Sequence, residues 1–169
     1  VKEKEEWNTG EGLVKWQTCF DCGQRFLGSL QLALGWACWK TYLGRPETDP
    51  YRCNALGTLG DALRDTEQPL LALPVLEADL ALRRRYWPRE VGHMLAALGN
   101  LANCLYDLER VDEALVLLRE VYSGQVAVHG LTHKISILNG NNLAAVLMIC
   151  GHFDEARQLL RDQLLPAAR

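Results

Sequence analysis

The stretch Leu98–Glu120 reads LGNLANCLYDLERVDEALVLLRE, and its spacing decides the fold. Leu98, Leu101, Ala102 and Leu105 fall at i, i+3, i+4 and i+7, which draws one apolar stripe along a helix. A polar break at Glu109–Arg110 follows, and Ala114, Leu117, Leu118 and Val121 repeat the spacing on a second helix. Neither helix can bury its stripe alone. Ala102 and Ala114 put small side chains where the two must approach closely, so the stretch reads as a helical hairpin.

The hairpin recurs. Leu59, Leu101 and Leu143 anchor the phrases TLGDAL, NLANCL and NLAAVL at a constant interval of 42 residues. Ala72, Ala114 and Ala156 keep the same interval in the second helices, as do Asp112-Glu113-Ala114 and Asp154-Glu155-Ala156. A fixed period in this range means stacked supersecondary units sharing one continuous core. The expectation is an all-α chain without strands, about four helix pairs and eight helices. A disordered or frayed lead-in over residues 1–10 precedes a single helical-repeat domain over 11–169, with repeats at about 11–49, 50–90, 91–132 and 133–169.

Within that frame the expected helices are Leu13–Gln24 and Leu27–Leu43, Asn54–Asp65 and Glu67–Tyr86, Val91–Leu108 and Val111–Val128, and Lys134–Cys150 and Phe153–Leu165. The first pair is degenerate, with Gln17 and Leu30 at the Leu59 and Ala72 positions. Trp7, Trp16, Trp36 and Trp39 crowd this quarter, as an aromatic end cap or as anchors for a partner. Pro69 suits a first helical turn, where a missing N–H costs little, whereas Pro74 should bend its helix or delay the start. Arg83-Arg84-Arg85 closes that helix with positive charge that complements the macrodipole. Leu159, Leu160 and Leu164 should present an apolar surface at the far end of the fourth repeat.

Composition removes several function classes. Of 169 residues, 49% are hydrophobic and 23% charged, ample for a buried core. A net charge of −3 gives no bulk reason to expect nucleic acid or an anionic membrane as partner. No apolar run reaches transmembrane length, and the start lacks a signal-peptide pattern. Val1 is not an initiator Met, which suggests processing or a fragment. The 6 cysteines are scattered, with Cys104 inside an apolar stripe, so free thiols in the cytoplasm or another reducing compartment are expected.

Candidate chemistry is sparse. Cys19-Phe20-Asp21-Cys22-Gly23 is a C-x-x-C-G, but a structural zinc site takes four ligands and no second pair exists. A redox pair would need a strand leading into a helix, so packing thiols are the expectation. His129 and His133 have the spacing of a metal pair on a helix, but Gly130 between them points to a loop. No H-E-x-x-H, G-x-S-x-G or Gly-rich phosphate loop occurs. The expectation is no enzyme, no catalytic residue, no metal and no cofactor.

Asn100-Leu101-Ala102, Asn142-Leu143-Ala144, Ala72-Leu73-Pro74-Val75 and His129-Gly130-Leu131-Thr132-His133 together resemble the tetratricopeptide repeat, in the kinesin-light-chain form whose period is 42 residues. The resemblance covers residues 45–169 well and the first 44 poorly. It implies a right-handed superhelix that binds peptides or scaffolds complexes, with the first helix of each pair lining a concave groove. Counting from Leu59, Leu101 and Leu143, the groove positions are Asn54, Thr58, Asp61 and Arg64 in repeat 2. They are Asn100, Asn103, Tyr106 and Asp107 in repeat 3, and Asn141 and Asn142 in repeat 4. A row of amides suits an extended peptide, since each offers donors and an acceptor to its backbone. The competing reading has these Asn side chains only hydrogen-bonding between neighbouring helices. Arg64 alone cannot build the basic clamp that tetratricopeptide domains use for terminal carboxylates. The partner is therefore a protein or linear peptide. The alternative role is a structural subunit held in a larger complex through its end faces.

Overall fold

The structure, a computed structural model, describes residues 11–164. The helices are α1 (Glu11–Val14), α2 (Gly28–Tyr42), α3 (Pro50–Asp65), α4 (Pro69–Tyr86), α5 (Val91–Asp107), α6 (Val111–His129), α7 (Lys134–Ile149) and α8 (Phe153–Gln158), the last continuing as a π-helical turn over Leu159–Leu164. Among the described residues there is no strand, and the chain is all-α as the periodicity requires. The expected lead-in at 1–10, with Trp7, lies outside the described residues.

The chain forms two compact units that divide between Pro88 and Arg89. In the first, α2 packs on α3 and α3 on α4; in the second, α5 packs on α6, α6 on α7, and α7 on α8 and the π turn. Within each unit, consecutive long helices thus cover one another. The period survives in the burial: Leu59, Leu101 and Leu143 are 1%, 7% and 4% exposed, and Ala72, Ala114 and Ala156 are 0%, 0% and 1% exposed. Close approach comes from small residues. A Cβ added at Gly35 of α2 would stand 2.9 Å from the Ala62 Cβ of α3, and one at Gly60 would overlap the Leu76 side chain of α4.

The corner between the helices of a pair is also repeated. Glu67, Glu109 and Gly151 have φ of 61°, 60° and 78°, and they too stand 42 residues apart. Gln68, Arg110 and His152 then donate their N–H to the carbonyls of Leu63, Leu105 and Leu147 at 2.9, 2.9 and 2.8 Å. Glu67, Glu109 and Gly151 donate theirs to Arg64, Tyr106 and Met148. This double closure is a Schellman motif, with the left-handed residue at C′.

Three expectations need correction, and one, the third below, is extended. The first helix stops at Val14; no helix covers the rest of Leu13–Gln24. Instead residues 17–26 fold back in a short hairpin around an isolated Thr18–Arg25 bridge. Gly23 at φ 68° favours the turn, and Phe20 at 98% exposed has no stripe to join. Second, α4 starts at Pro69 and runs through Pro74 without a delayed start, held by buried Ala72, Leu76 and Leu80. Third, Arg83 stands in the last turn of α4 as expected, but it is engaged inside the fold as well. It is buried, and its Nε donates to both carboxylate oxygens of buried Asp79 at 2.9 and 3.0 Å. Fourth, Leu159 is buried and Leu160 half-buried in a core with Tyr122, Leu143 and Leu147, so they do not form an open apolar surface. The Leu164 side chain lies outside the described residues. Of the tryptophans, Trp16 and Trp39 pack on Cys38, Tyr42 and Ala55 as an aromatic cap, while Trp36 is exposed.

Candidate interaction surface

The residues expected to line a groove separate into two kinds. In the first unit they are held by the chain itself. Asn54 Oδ1 accepts from Arg83 Nη2 at 2.9 Å, which ties α3 to α4 beneath the surface. The Cys53 thiol donates to Asp79 Oδ1 at 3.1 Å in the same network. Thr58 is buried, and its hydroxyl accepts from Gln17 Nε2 at 3.2 Å, an atom of the hairpin after α1. Thr58 is thus buried by the chain itself, and half-buried Asn54 is engaged by Arg83. Arg64 is half-buried and donates to Asp65 at 2.8 Å; Asp65 also accepts from Gln31 at 2.9 Å and Arg25 at 3.3 Å. Burial pushes the Asp65 carboxyl up, but the Arg64 and Gln31 hydrogen bonds outweigh it and hold the group below the usual carboxylate range. The α1–α2 segment thus covers the Thr58–Asp65 face of α3.

Asp61 sits in that covered region. Its Oδ1 is buried and has no hydrogen-bond partner among the described residues. Burial raises the carboxyl to about 6; Arg64 and Arg25 pull it down, while Asp65 and Asp79 push it up.

The second unit presents the same positions differently. On α5, Asn100 is half-buried and Asn103, Tyr106 and Asp107 are exposed; on α7, Asn141 and Asn142 are exposed. Among the described residues, the amides of Asn100, Asn103, Asn141 and Asn142 have no side-chain partner, unlike Asn139, which donates to Ile135 O at 2.8 Å. Next to Asn141 and Asn142, α7 also exposes Leu138, Met148 and Ile149. An exposed helix face that mixes unengaged amides with apolar side chains can hold a polypeptide in two ways. The amides hydrogen-bond its backbone and the apolar groups pack its side chains.

The sequence did not single out one concavity in this unit. A cleft of about 280 Å³ lies among Arg119, Tyr122, Leu143, Glu155, Gln158 and Leu159. A two-pronged Arg119–Glu155 pair at 2.8 and 2.7 Å borders it, 36 residues apart in the chain. Arg119 holds the Glu155 carboxyl below its ordinary value. No local pattern announces such a pair, because its members come from α6 and α8.

His129 and His133 stack with ring centroids 4.6 Å apart, and His133 Nδ1 accepts from Ile135 N–H as the cap of α7. His129 is the last residue of α6 and His133 the N-cap of α7, with Gly130 at φ 84° in the break between them. The Cys19 thiol is drawn below its ordinary value by the backbone N–H of Cys22, then that of Asp21, then the Cys22 thiol. Burial pushes the Cys38 thiol up to about 12.

A family model, described as tetratricopeptide repeat, matches residues 94–133 and 141–162. Those two segments of the chain are similar to the tetratricopeptide repeat. The crystal structure of a Podosopora anserina protein, described as a kinesin light chain with nearly identical TPR-like repeats, is similar with a TM-score of 0.71 at 22% identity, over 78% of this chain and 63% of that one. A variant of it gives 0.70 at 23%, over 78% and 62%. BtubC (BKLC) from P. vanneervenii gives 0.65 at 15%, over 81% and 55%. At these identities the likeness is one of fold, and the chain spans between 55% and 63% of the length of these structures. No curated protein sequence matches the chain. Tetratricopeptide repeats are in general protein–protein interaction modules and typically non-catalytic scaffolds. Among the described residues no helix is long and apolar enough to cross a membrane.

Proposed function

We propose that this chain is a non-enzymatic adaptor that holds an extended peptide segment of a partner protein on the outward faces of α5 and α7. The observation that carries the reading is the contrast between the units. Asn54 and Thr58 are engaged by Arg83 and Gln17, whereas Asn100, Asn103, Asn141 and Asn142 keep their amides unengaged at the corresponding surface of the second unit. Tyr106 and Asp107 flank the α5 amides, and Met148 and Ile149 supply apolar surface beside those of α7. Unpaired amides on a rigid helix cost nothing to present, and they are recovered as hydrogen bonds when a strand-like backbone lies across them.

The test is selection from a random linear peptide library on the purified chain, followed by binding of the selected peptides to Asn103→Ala/Asn142→Ala. The variant should lose at least tenfold in affinity, equivalent to about 1.4 kcal/mol, with its melting temperature unchanged. Selected peptides that bind the variant as tightly as the parent would remove the groove from the reading. A second reading, a subunit held through an end face, is favoured by the exposed Leu27, Leu30, Trp36 and Leu43 at and around α2. It calls for Trp36→Ala to weaken capture of a folded partner while leaving peptide binding intact.

A further inference from the structure

The cleft in the second unit is built like a small-molecule site. Its floor is apolar: Tyr122 of α6, Leu143 of α7 and Leu159 of the π turn are 8%, 4% and 6% exposed. Its rim is polar, made by Arg119 of α6 and by Glu155 and Gln158 of α8. Sites for small molecules combine these two parts, an apolar pocket and a few placed polar groups that fix orientation. The volume of about 280 Å³ falls just under the roughly 300–1,000 Å³ of drug-sized sites, so the ligand it suits is smaller than those.

The rim sets the sign of that ligand. A guanidinium is a planar fork whose donors can pair with a carboxylate along more than one edge. Glu155 takes one edge of Arg119, its two oxygens accepting from Nε and Nη2 at 2.8 and 2.7 Å. The other edge, Nη1 with the remaining N–H of Nη2, has no partner among the described residues. Gln158 is exposed, and its amide is likewise unengaged among them. Both Glu155 oxygens already accept, so the free capacity of the rim is mainly that of a donor. An ion pair as exposed as this one, at 42% and 45%, adds little to stability. Its effect is to hold the guanidinium in one orientation, with the open edge at the rim. Glu155 also balances the positive charge, so an anion needs apolar contact with the floor as well as the fork.

We propose that this cleft binds a small monocarboxylic acid with an aliphatic or aromatic body, the carboxylate on the open edge of Arg119 and the body on Tyr122, Leu143 and Leu159. Binding is non-covalent and leaves the Arg119–Glu155 pair in place. The cleft shares no residue with the amides of α5 and α7, and the inference does not depend on the peptide-binding reading.

The test is titration of the isotope-labelled full chain, followed by nuclear magnetic resonance, with phenylacetate, hexanoate, acetate and the uncharged phenylacetamide. Phenylacetate and hexanoate should move the Arg119 side-chain N–H signal and the Leu143 and Leu159 methyl signals along one saturable curve. Acetate, which lacks the body, and phenylacetamide, which lacks the charge, should each bind at least tenfold more weakly. Arg119→Lys keeps the charge but loses the fork, and it should cost at least tenfold in phenylacetate affinity with helical circular dichroism unchanged. If that variant misfolds, the comparison of acid with amide in the parent decides. Phenylacetamide or acetate binding as tightly as phenylacetate would overturn the proposal. So would full affinity in a folded Arg119→Lys, shifts confined to other residues, or no saturable shift at millimolar acid. A short peptide ending in leucine that takes the cleft more tightly than either free acid would assign it to a chain end and overturn the free-acid reading.

Discussion

At the scale of single residues, the clearest outcomes concern groups held against their own preference. Asp61 is a carboxyl whose folded value, about 6, lies above its ordinary one because burial disfavours its charge. Its contribution to stability is fully present below the unfolded value near 3.8 and is lost as pH rises through about 6. Asp61→Asn should therefore flatten the dependence of melting temperature on pH in that window. It should melt higher than the parent at pH 7 and converge with it near pH 4, as measured by thermal circular dichroism across the range. Glu109 makes a second case. It holds φ 60° at the corner after α5, where Gly151 serves after α7 at φ 78°. A side chain in this left-handed region costs on the order of 1 kcal/mol. Glu109→Gly should leave the chain as stable as the parent or raise it by up to about 1 kcal/mol, and Gly151→Ala should lower it by about that amount in urea denaturation. The sequence held half of this: Gly151 marks the corner, and the period of 42 carries it back to Glu109 and Glu67.

At the scale of elements, the two units solve the same packing problem with different chemistry. The period places Asp79 of α4 at the Val121 position of α6, and Arg83 at that of Gln125. Val121 is 2% exposed and Asp79 1%, so a charge occupies the space that an aliphatic side chain fills one repeat later. Removing one member of a buried pair costs about 3–5 kcal/mol, since the other is left uncompensated, whereas replacing both with fitting neutral groups is often neutral or better. Asp79→Ala should therefore lose most of that amount, and Asp79→Val/Arg83→Gln should recover much of it, by the same denaturation assay. The helices were legible because burial of one stripe is written at intervals of three and four residues. The partners of Asn54 and Thr58 were not, because Arg83 and Gln17 lie 29 and 41 residues away. An exposed amide and an amide engaged across a helix pair have the same spelling. The hairpin at 17–26 was missed for the opposite reason: turn hydrogen bonds decide it locally, with no apolar period to read.

At the scale of the whole molecule, stability should be unequal along the chain. Segments that bury few apolar side chains open first. Beyond Trp16, residues 15–27 join the first unit through a few polar contacts such as Gln17–Thr58 and Arg25–Asp65, whereas Leu59, Leu98 and Leu147 are fully enclosed. Hydrogen exchange read by mass spectrometry should release the amides of 15–27 well before those of α3 and α7, and uniform protection across these segments would contradict that ordering. The period marked the protected end of this range, since Leu59, Leu101 and Leu143 are all buried, but it was silent on residues 15–27.

The salt bridge under α3 also bears on how a chain of look-alike parts avoids misassembly. Nearly interchangeable helix pairs can dock on the wrong neighbour, one period out of step. If α4 met α5 in the way it meets α3, Cys53 and Asn54 would be replaced by Leu95 and Ala96, and neither can answer a carboxylate or a guanidinium. The slipped form would then strand polar groups that the correct one satisfies. A single ionic couple thus works as a key cut for one lock, giving otherwise similar modules an address within their own chain.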